Sequence, residues 1–182
     1  MASKIKVDQI QTGDGTGTIA LQNQLSGMTT ASLPALGSAQ MPTGSVIQVV
    51  EGTHATQETT TSTSYVATSL DAVITPSSSS SKILVTITFP ADIAGSVTHT
   101  GGDYAIYRDS THILAMNGDS SYSSVSGGTN MATNASLQKL DSPSSTSAIT
   151  YKLYMRARNS NTTIKSTHNS GMGTVILMEI AG

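Results

Sequence analysis

The sequence predicts an all-β protein, folded as a two-layer sandwich or jelly roll. About eight short segments alternate between apolar and polar residues with a period of two, which is typical of strands with one buried face. Loops rich in serine, threonine and glycine separate these segments, and no segment shows the periodicity of an amphipathic helix. Many short strands without helices are typical of sandwiches and jelly rolls.

Residues 82–89, KILVTITF, are predicted to form the central strand. One face carries Ile83, Val85, Ile87 and Phe89, and Leu84, Thr86 and Thr88 share the other. Burying the first set would contribute on the order of 6–12 kcal/mol. Pro90 is predicted to end the strand.

The final strand, residues 174–180, is apolar on both faces, so it is predicted to lie inside a sheet. Further strands are predicted within residues 45–51, 65–75, 131–140 and 148–157, and in a hairpin of 104–107 with 112–116. Loops are predicted over residues 53–64, 77–81, 99–103, 117–130, 141–147 and 158–170. The candidate core or trimer-contact residues are Val175, Leu177, Met178, Ile180, Tyr151 and Leu153.

Residues 1–44 are predicted to be an N-terminal attachment arm ahead of a sandwich domain at 45–182. The arm has strand-like periodicity but too few apolar residues for a core of its own. We therefore expect it to dock on a partner protein; a disordered leader is the alternative. Its candidate docking residues are Ile5, Val7, Ile10, Ile19 and Leu21.

The composition excludes several classes of function. A net charge of −2 provides no basic field for nucleic acid. The absence of cysteine means that neither disulfides nor thiolate metal sites are expected. No run is long enough to span a membrane, and the N-terminus lacks the apolar segment of a signal peptide. A protein made in the cytoplasm, without membrane insertion, is expected.

No pattern indicates catalysis, a cofactor or a metal. The glycine-rich run at residues 13–17 lacks the Lys-Ser/Thr of a phosphate loop, and no Gly-x-Ser-x-Gly motif occurs. The four histidines are far apart and are predicted to be exposed. Most acidic residues of the domain are predicted at turns, which disfavours the paired carboxylates of a glycosidase. We expect a protein that is not an enzyme.

The tyrosines allow two interpretations. Side chains on alternating strands are more often part of a core or an interface, whereas a flat array could stack on carbohydrate rings. The residues concerned are Tyr104, Tyr107, Tyr122, Tyr151 and Tyr154.

Two parts of the chain resemble known virion proteins. Residues 3–29, SKIKVDQIQTGDGTGTIALQNQLSGMT, are similar to the N-terminal leader of small virion structural proteins of marine tailed phages, including cyanophages and pelagiphages. Three further stretches of this chain resemble the β domains that follow such leaders: ITPSSSSSKILVTITF, LDSPSSTSAITYKLYMRARN and TVILMEIAG. Together these stretches cover around half of the chain.

The resemblance implies a role and a quaternary structure. In that family the leader precedes different domains, which implies an attachment module, and the β domains look like trimeric jelly rolls of the tumour-necrosis-factor and complement-globular type. A homotrimeric knob or fibre protein on the virion surface is therefore expected, bound to other capsid or tail proteins. The alternatives are a host-surface glycan-binding adhesin, using loops 117–130 and 158–170, and a glycan-cleaving enzyme.

Overall fold

A computed structural model describes residues 37, 41–116, 121–125 and 127–182. The eleven strands in these ranges are β1 (Val46–His54), β2 (Glu58–Thr60), β3 (Val66–Ile74), β4 (Lys82–Gly95), β5 (Thr100–Arg108), β6 (Thr111–Ala115), β7 (Ser121–Ser123), β8 (Thr129–Asp141), β9 (Ile149–Ala157), β10 (Thr162–Ser166) and β11 (Gly173–Ile180). A short 3-10 turn, His168–Ser170, precedes β11. The described chain is thus almost entirely β, as predicted.

The strands form two antiparallel sheets with the strand order of a jelly roll. In the first sheet β4 is central: β8 pairs with one edge, while β11 and then β10 pair with the other. β1 adds to β11 and β2 adds to β10. The second sheet has the order β3–β9–β5–β6, and β7 also pairs with β5. The jelly-roll prediction is confirmed.

The core lies between the two sheets. All four side chains predicted to face inward from the central strand are buried there, and Phe89 meets the Tyr104 ring edge-on at 4.8 Å between centroids. β11 lies between β1 and β4, as its two apolar faces predicted. The hairpin predicted around residues 108–111 is formed by β5 and β6.

The prediction that Pro90 ends the central strand is wrong, because β4 continues to Gly95. Along one edge of β4, the pairing with β11 stops at Thr88 and the pairing with β10 starts at Ala91. Pro90 lies opposite this gap, where a missing N–H group interrupts no ladder on that side. A proline therefore fits inside the longest strand of the domain.

Four predicted loops contain strands or parts of strands. Residues 158–170 contribute β10, in which Thr162, Ile164 and Ser166 are buried. Residues 99–103 include the start of β5, where the backbone of Gly102 lies so close to Ile164 that a Cβ atom would be 2.5 Å from its Cδ1 atom. Polar and glycine residues form these strands, so the hydrophobic pattern did not reveal them. Short strands β2 and β7 also lie within predicted loops.

The N-terminal arm falls almost wholly outside the described residues. None of its candidate docking residues, Ile5, Val7, Ile10, Ile19 and Leu21, lies within them. At the start of the domain, the Gly44 N–H donates to the Ala181 carbonyl, and the Ser45 carbonyl accepts from the Ala181 N–H. The arm remains a prediction from sequence.

Candidate functional site

The outward surface of the first sheet carries a row of four apolar side chains across four strands. Val49 of β1 is paired with Met178 of β11, Met178 with Leu84 of β4, and Leu84 with Leu140 of β8. Side chains directly opposite each other on one face of a sheet are close neighbours. This row is therefore a continuous apolar surface.

The row is open to solvent at both ends. Val49 is 56% exposed and Leu140 is 50% exposed, and the two side chains between them are half-buried. Val46, itself 49% exposed, pairs with Ile180 beside the row. We call the set Val46, Val49, Leu84, Leu140, Met178 and Ile180 the outer apolar face. Contiguous apolar surface of this kind commonly marks a contact with another protein.

The polarity of the same sheet surface changes within two rows. The next row along the strands contains Glu51, Ile176, Thr86 and Gln138, and the row after it contains Thr53, Thr174, Thr88 and Ser136. The outer apolar face is thus confined to the end of the sheet where β1 begins and β11 ends.

The six core or trimer-contact candidates divide between two environments. Val175, Leu177, Tyr151 and Leu153 are fully buried between the sheets. Met178 and Ile180 point to the opposite side of β11 and belong to the outer apolar face. Only these last two are placed where another subunit could touch them.

A buried carboxylate lies beneath this end of the sheet. Glu179 has no exposed surface, and its two oxygens accept hydrogen bonds from Gln48 Nε2 at 2.6 Å, Ser77 N at 2.7 Å and Ser77 Oγ at 2.6 Å. Burial alone would raise the pKa of Glu179, but hydrogen bonds from Ser77, Gln48 and Ser81 outweigh it and hold the pKa below its usual value. This carboxylate ties the end of β11 to β1 and to the loop before β4.

The prediction that most acidic residues lie at turns is wrong for three of them. Asp92, Asp103 and Asp141 are buried in strands, and each is paired with a cation. Their partners are Lys165 for Asp92, Arg156 for Asp103 at 2.7 Å, and Arg108 for Asp141 at 2.8 Å. A buried charge needs such a partner, and the partners lie far away in the sequence.

Asp141 also accepts a hydrogen bond from the Tyr151 hydroxyl at 2.8 Å. Burial, and then this hydrogen bond, raises the pKa of Tyr151, so the hydroxyl remains a donor. The Asp141 carboxylate thus connects β8 of the first sheet to β9 of the second, and its contacts are those of a residue that stabilises the fold.

The tyrosines do not form one stacking platform. Tyr104 and Tyr151 are buried in the core. Tyr107 is stacked on Tyr154 with a centroid distance of 3.8 Å, and on His112 at 4.9 Å. Because neighbouring strands supply these three rings, they stand as a ladder whose central ring has both faces covered. A sugar cannot stack on that ring.

Tyr122 lies apart from the other tyrosines, where the two predicted glycan-binding segments meet. The Arg158 guanidinium lies over its ring at 5.1 Å, and the His99 ring stacks against it at 5.9 Å. Segments 117–130 and 158–170 therefore come together through their described residues. Most of segment 158–170, however, is the buried strand β10 and the turn that follows it.

The histidines were predicted to be exposed, and this is wrong for two of them. His99 and His112 are exposed, whereas His54 and His168 are half-buried. In the described ranges no group of three potential ligands could hold a metal ion. No helix within those ranges has the length and apolarity to cross a membrane.

Comparisons with known proteins give structural matches alone. No family model matches the sequence. No curated protein matches it either. The chain is similar to a solved structure of infectious bursal disease virus, Gx strain, with 12% identity and a TM-score of 0.35 over 74% of this chain and 37% of that one. It is also similar to the VP2 subviral particle of infectious bursal disease virus, with 14% identity and a TM-score of 0.34 over 76% and 38% of the two chains. The chain therefore spans less than two fifths of the length of the structures that it matches.

Proposed function

We propose that this protein is a structural component of a tailed-phage virion, a homotrimeric knob or fibre protein that its N-terminal arm anchors to the particle. The leader resemblance of residues 3–29 supports the virion role and the jelly-roll fold agrees with it. The observation that carries the trimer is the outer apolar face, since such a surface needs a cover. The similarity to the viral particle proteins is too weak to form part of this argument.

The cover that we propose is a second copy of the same chain, repeated by three-fold symmetry. Closed symmetric assemblies are the usual state of soluble oligomers, and in a three-fold ring the outer apolar face of each copy would lie against the surface of its neighbour. Fully burying a half-exposed valine or leucine contributes on the order of 1 kcal/mol. Val46, Val49 and Leu140 are the half-exposed members of the outer apolar face, so their burial on each of three subunits supplies a driving force for association.

The trimer is tested by the mass of the full-length protein in solution, measured by sedimentation or light scattering. We expect wild-type protein and a Thr53→Lys variant to be trimers, and a Val49→Lys variant to be a monomer with unchanged circular dichroism. Both substitutions place a lysine at an exposed position on the outer surface of β1, but only Val49 belongs to the outer apolar face. A trimeric Val49→Lys variant, or a monomeric wild type at micromolar concentration, contradicts the proposed interface.

The role of the arm is tested on particles. Deleting residues 1–40 should leave a folded, trimeric domain that is no longer incorporated into virions. Val7→Pro should weaken incorporation, because proline removes one backbone donor from a strand added to the edge of a partner's sheet. Normal amounts of the truncated protein on purified particles, detected by blotting, would mean that the jelly roll itself docks.

The alternative function is binding of a host-surface glycan at the contact of Tyr122 with Arg158. Aromatic rings bordered by hydrogen-bonding groups are common in ligand sites, and this ring is 39% exposed. Saturable binding of the trimer to host cells, lost in Tyr122→Ala while incorporation into particles stays normal, supports this function. If Tyr122→Ala binds host cells as well as the wild-type protein does, glycan binding at this contact is contradicted. That the protein is not an enzyme remains a prediction from sequence.

A further inference from the structure

Lys165 of β10 and Asp92 of β4 form an ion pair whose geometry also suits a chemical reaction between the two side chains. Lys165 and Asp92 are directly opposite each other in the antiparallel ladder, and Lys165 Nζ contacts Asp92 Oδ2. The Asp92 side chain has no exposed surface, and that of Lys165 is 19% exposed. Of the two carboxylate oxygens, Oδ1 is buried without a hydrogen-bond partner. The nucleophile and the electrophile of an amide bond are thus held in contact, with the carboxyl group fully shielded from water and the lysine side chain largely so.

We propose that Lys165 and Asp92 condense to form an intramolecular amide cross-link between β10 and β4. One proton passes from the Lys165 ammonium to the Asp92 carboxylate, and the neutral Nζ attacks Cγ. The Nζ–Cγ bond forms and one Cγ–O bond breaks. The departing oxygen leaves as water with two protons that came from the ammonium. An ammonium and a carboxylate are consumed, an amide and one water are produced, and no oxidant or co-reactant is required.

The site favours this condensation for two physical reasons. Reacting groups held in contact gain an effective concentration that reaches about 10⁵–10⁸ M in well-oriented cases. Exclusion of bulk water lowers the cost of neutralising the pair, and it removes the solvent that would otherwise drive the amide back to acid and amine. An exposed Lys–Asp pair would have neither advantage.

His168 is positioned to carry the protons. Its Nδ1 atom is buried, has no hydrogen-bond partner, and lies 3.7 Å from Asp92 Oδ2. The backbone that places it is unusual, because Thr167 before it and Asn169 after it both have positive φ, at 51° and 54°. Such conformations are costly for a β-branched threonine and tend to occur where the surrounding structure requires a particular side-chain position. We assign His168 as a positioning and proton-transfer residue, next to the bond that forms.

A covalent link between β10 and β4 would stabilise a fold whose composition provides no disulfide. The chain has no cysteine, and Lys165 and Asp92 are separated by 73 positions, so the amide would close a long loop as a disulfide would. It would also fasten β10, a strand of five residues with a single large apolar side chain, to the central strand.

The test is the mass of the intact, denatured full-length protein. We expect wild-type protein to be lighter than its sequence by the mass of one water molecule, after allowance for removal of the initiator methionine. Lys165→Arg keeps the positive charge but cannot form this bond, so it should have the full mass. The Asp14–Gly15 sequence could lose water as a succinimide, but that loss would persist in Lys165→Arg. A wild-type mass at the full sequence value overturns the proposal and leaves an ordinary buried ion pair.

Peptide mapping and a second variant complete the test. Digestion should give a branched peptide that joins the β4 and β10 sequences, and recovery of Lys165 solely in a linear peptide contradicts the cross-link. His168→Ala should leave a fraction of the protein at full mass that decreases with time after purification. Complete cross-linking of this variant at the wild-type rate would overturn the role of His168.

Discussion

Replacing Ile87 by aspartate is the most direct probe of the central strand. Ile87 has no exposed surface and points into the core from β4, whereas its neighbour Thr86 is half-buried on the outer surface. The substitution removes about 1.5–3 kcal/mol of apolar burial and places a carboxylate without a partner in the core, at a further cost of several kcal/mol. The sum is comparable with the whole stability of a domain, about 5–15 kcal/mol. We expect Ile87→Asp to prevent folding.

Thr86→Asp is the matched control, because the same side chain is introduced one residue away on the opposite face. It loses one hydrogen bond, from Gln138 Nε2 to Thr86 Oγ1 at 3.2 Å, and its carboxylate can reach water. We expect a loss of about 0.5–1.5 kcal/mol in the free energy of unfolding. Soluble expression and urea denaturation followed by circular dichroism compare the two variants. Equal stability of the two would refute the assignment of faces along β4.

Two further predictions concern the ends of the sandwich. The pKa of Glu179 is lower in the folded state than in the unfolded chain. The ionised carboxylate therefore stabilises the fold at pH values above the unfolded pKa, about 4.3. This stabilisation is lost as the pH falls through the folded pKa. Glu179→Gln should therefore reduce stability at neutral pH and flatten its acid dependence below about pH 4.3. A variant that keeps both the wild-type melting temperature at neutral pH and the wild-type loss of stability on acidification would contradict this. Gly102→Ala should destabilise the domain by about 1–3 kcal/mol, because the added Cβ would lie 2.7 Å from the carbonyl oxygen of Arg156 in the neighbouring strand β9. A wild-type melting temperature would show that β5 and β9 can adjust to the added methyl group.

The elements that could be predicted from sequence are those whose strands carry large apolar residues. In β4 and β11 the alternation of isoleucine, valine and leucine with smaller or polar residues gave both the strand and its inward face. The interior position of β11 followed from the two apolar faces of one segment. These signals are local, and they need no knowledge of neighbouring strands.

The elements that could not be predicted depend on neighbours distant in sequence. Thr162 and Ser166 are buried because β10 adds to β4, yet their composition is that of a loop. Pro90 is accommodated because two other strands leave a gap beside it. Part of the outer apolar face can be predicted from sequence, since the two apolar faces of residues 174–180 mark Met178 and Ile180 as contact candidates. Its partners Val49 and Leu140 become neighbours of Met178 only through the order of the sheet.

The buried acidic residues explain how strands of weak hydrophobic pattern keep their register. Shifting a strand by one residue exchanges its two faces, and a serine- and threonine-rich strand resists such a shift poorly. In β10, where Ile164 is the one large apolar anchor, the opposed pair of Lys165 with Asp92 adds a second constraint. Before any amide forms between them, a slip by one residue would expose Ile164 and also separate a buried carboxylate from its cation, which is strongly destabilising. Charges are rare in this chain, and the pairs Lys165–Asp92 and Arg156–Asp103, which lie opposite each other in their ladders, supply register that its small polar side chains leave weakly specified.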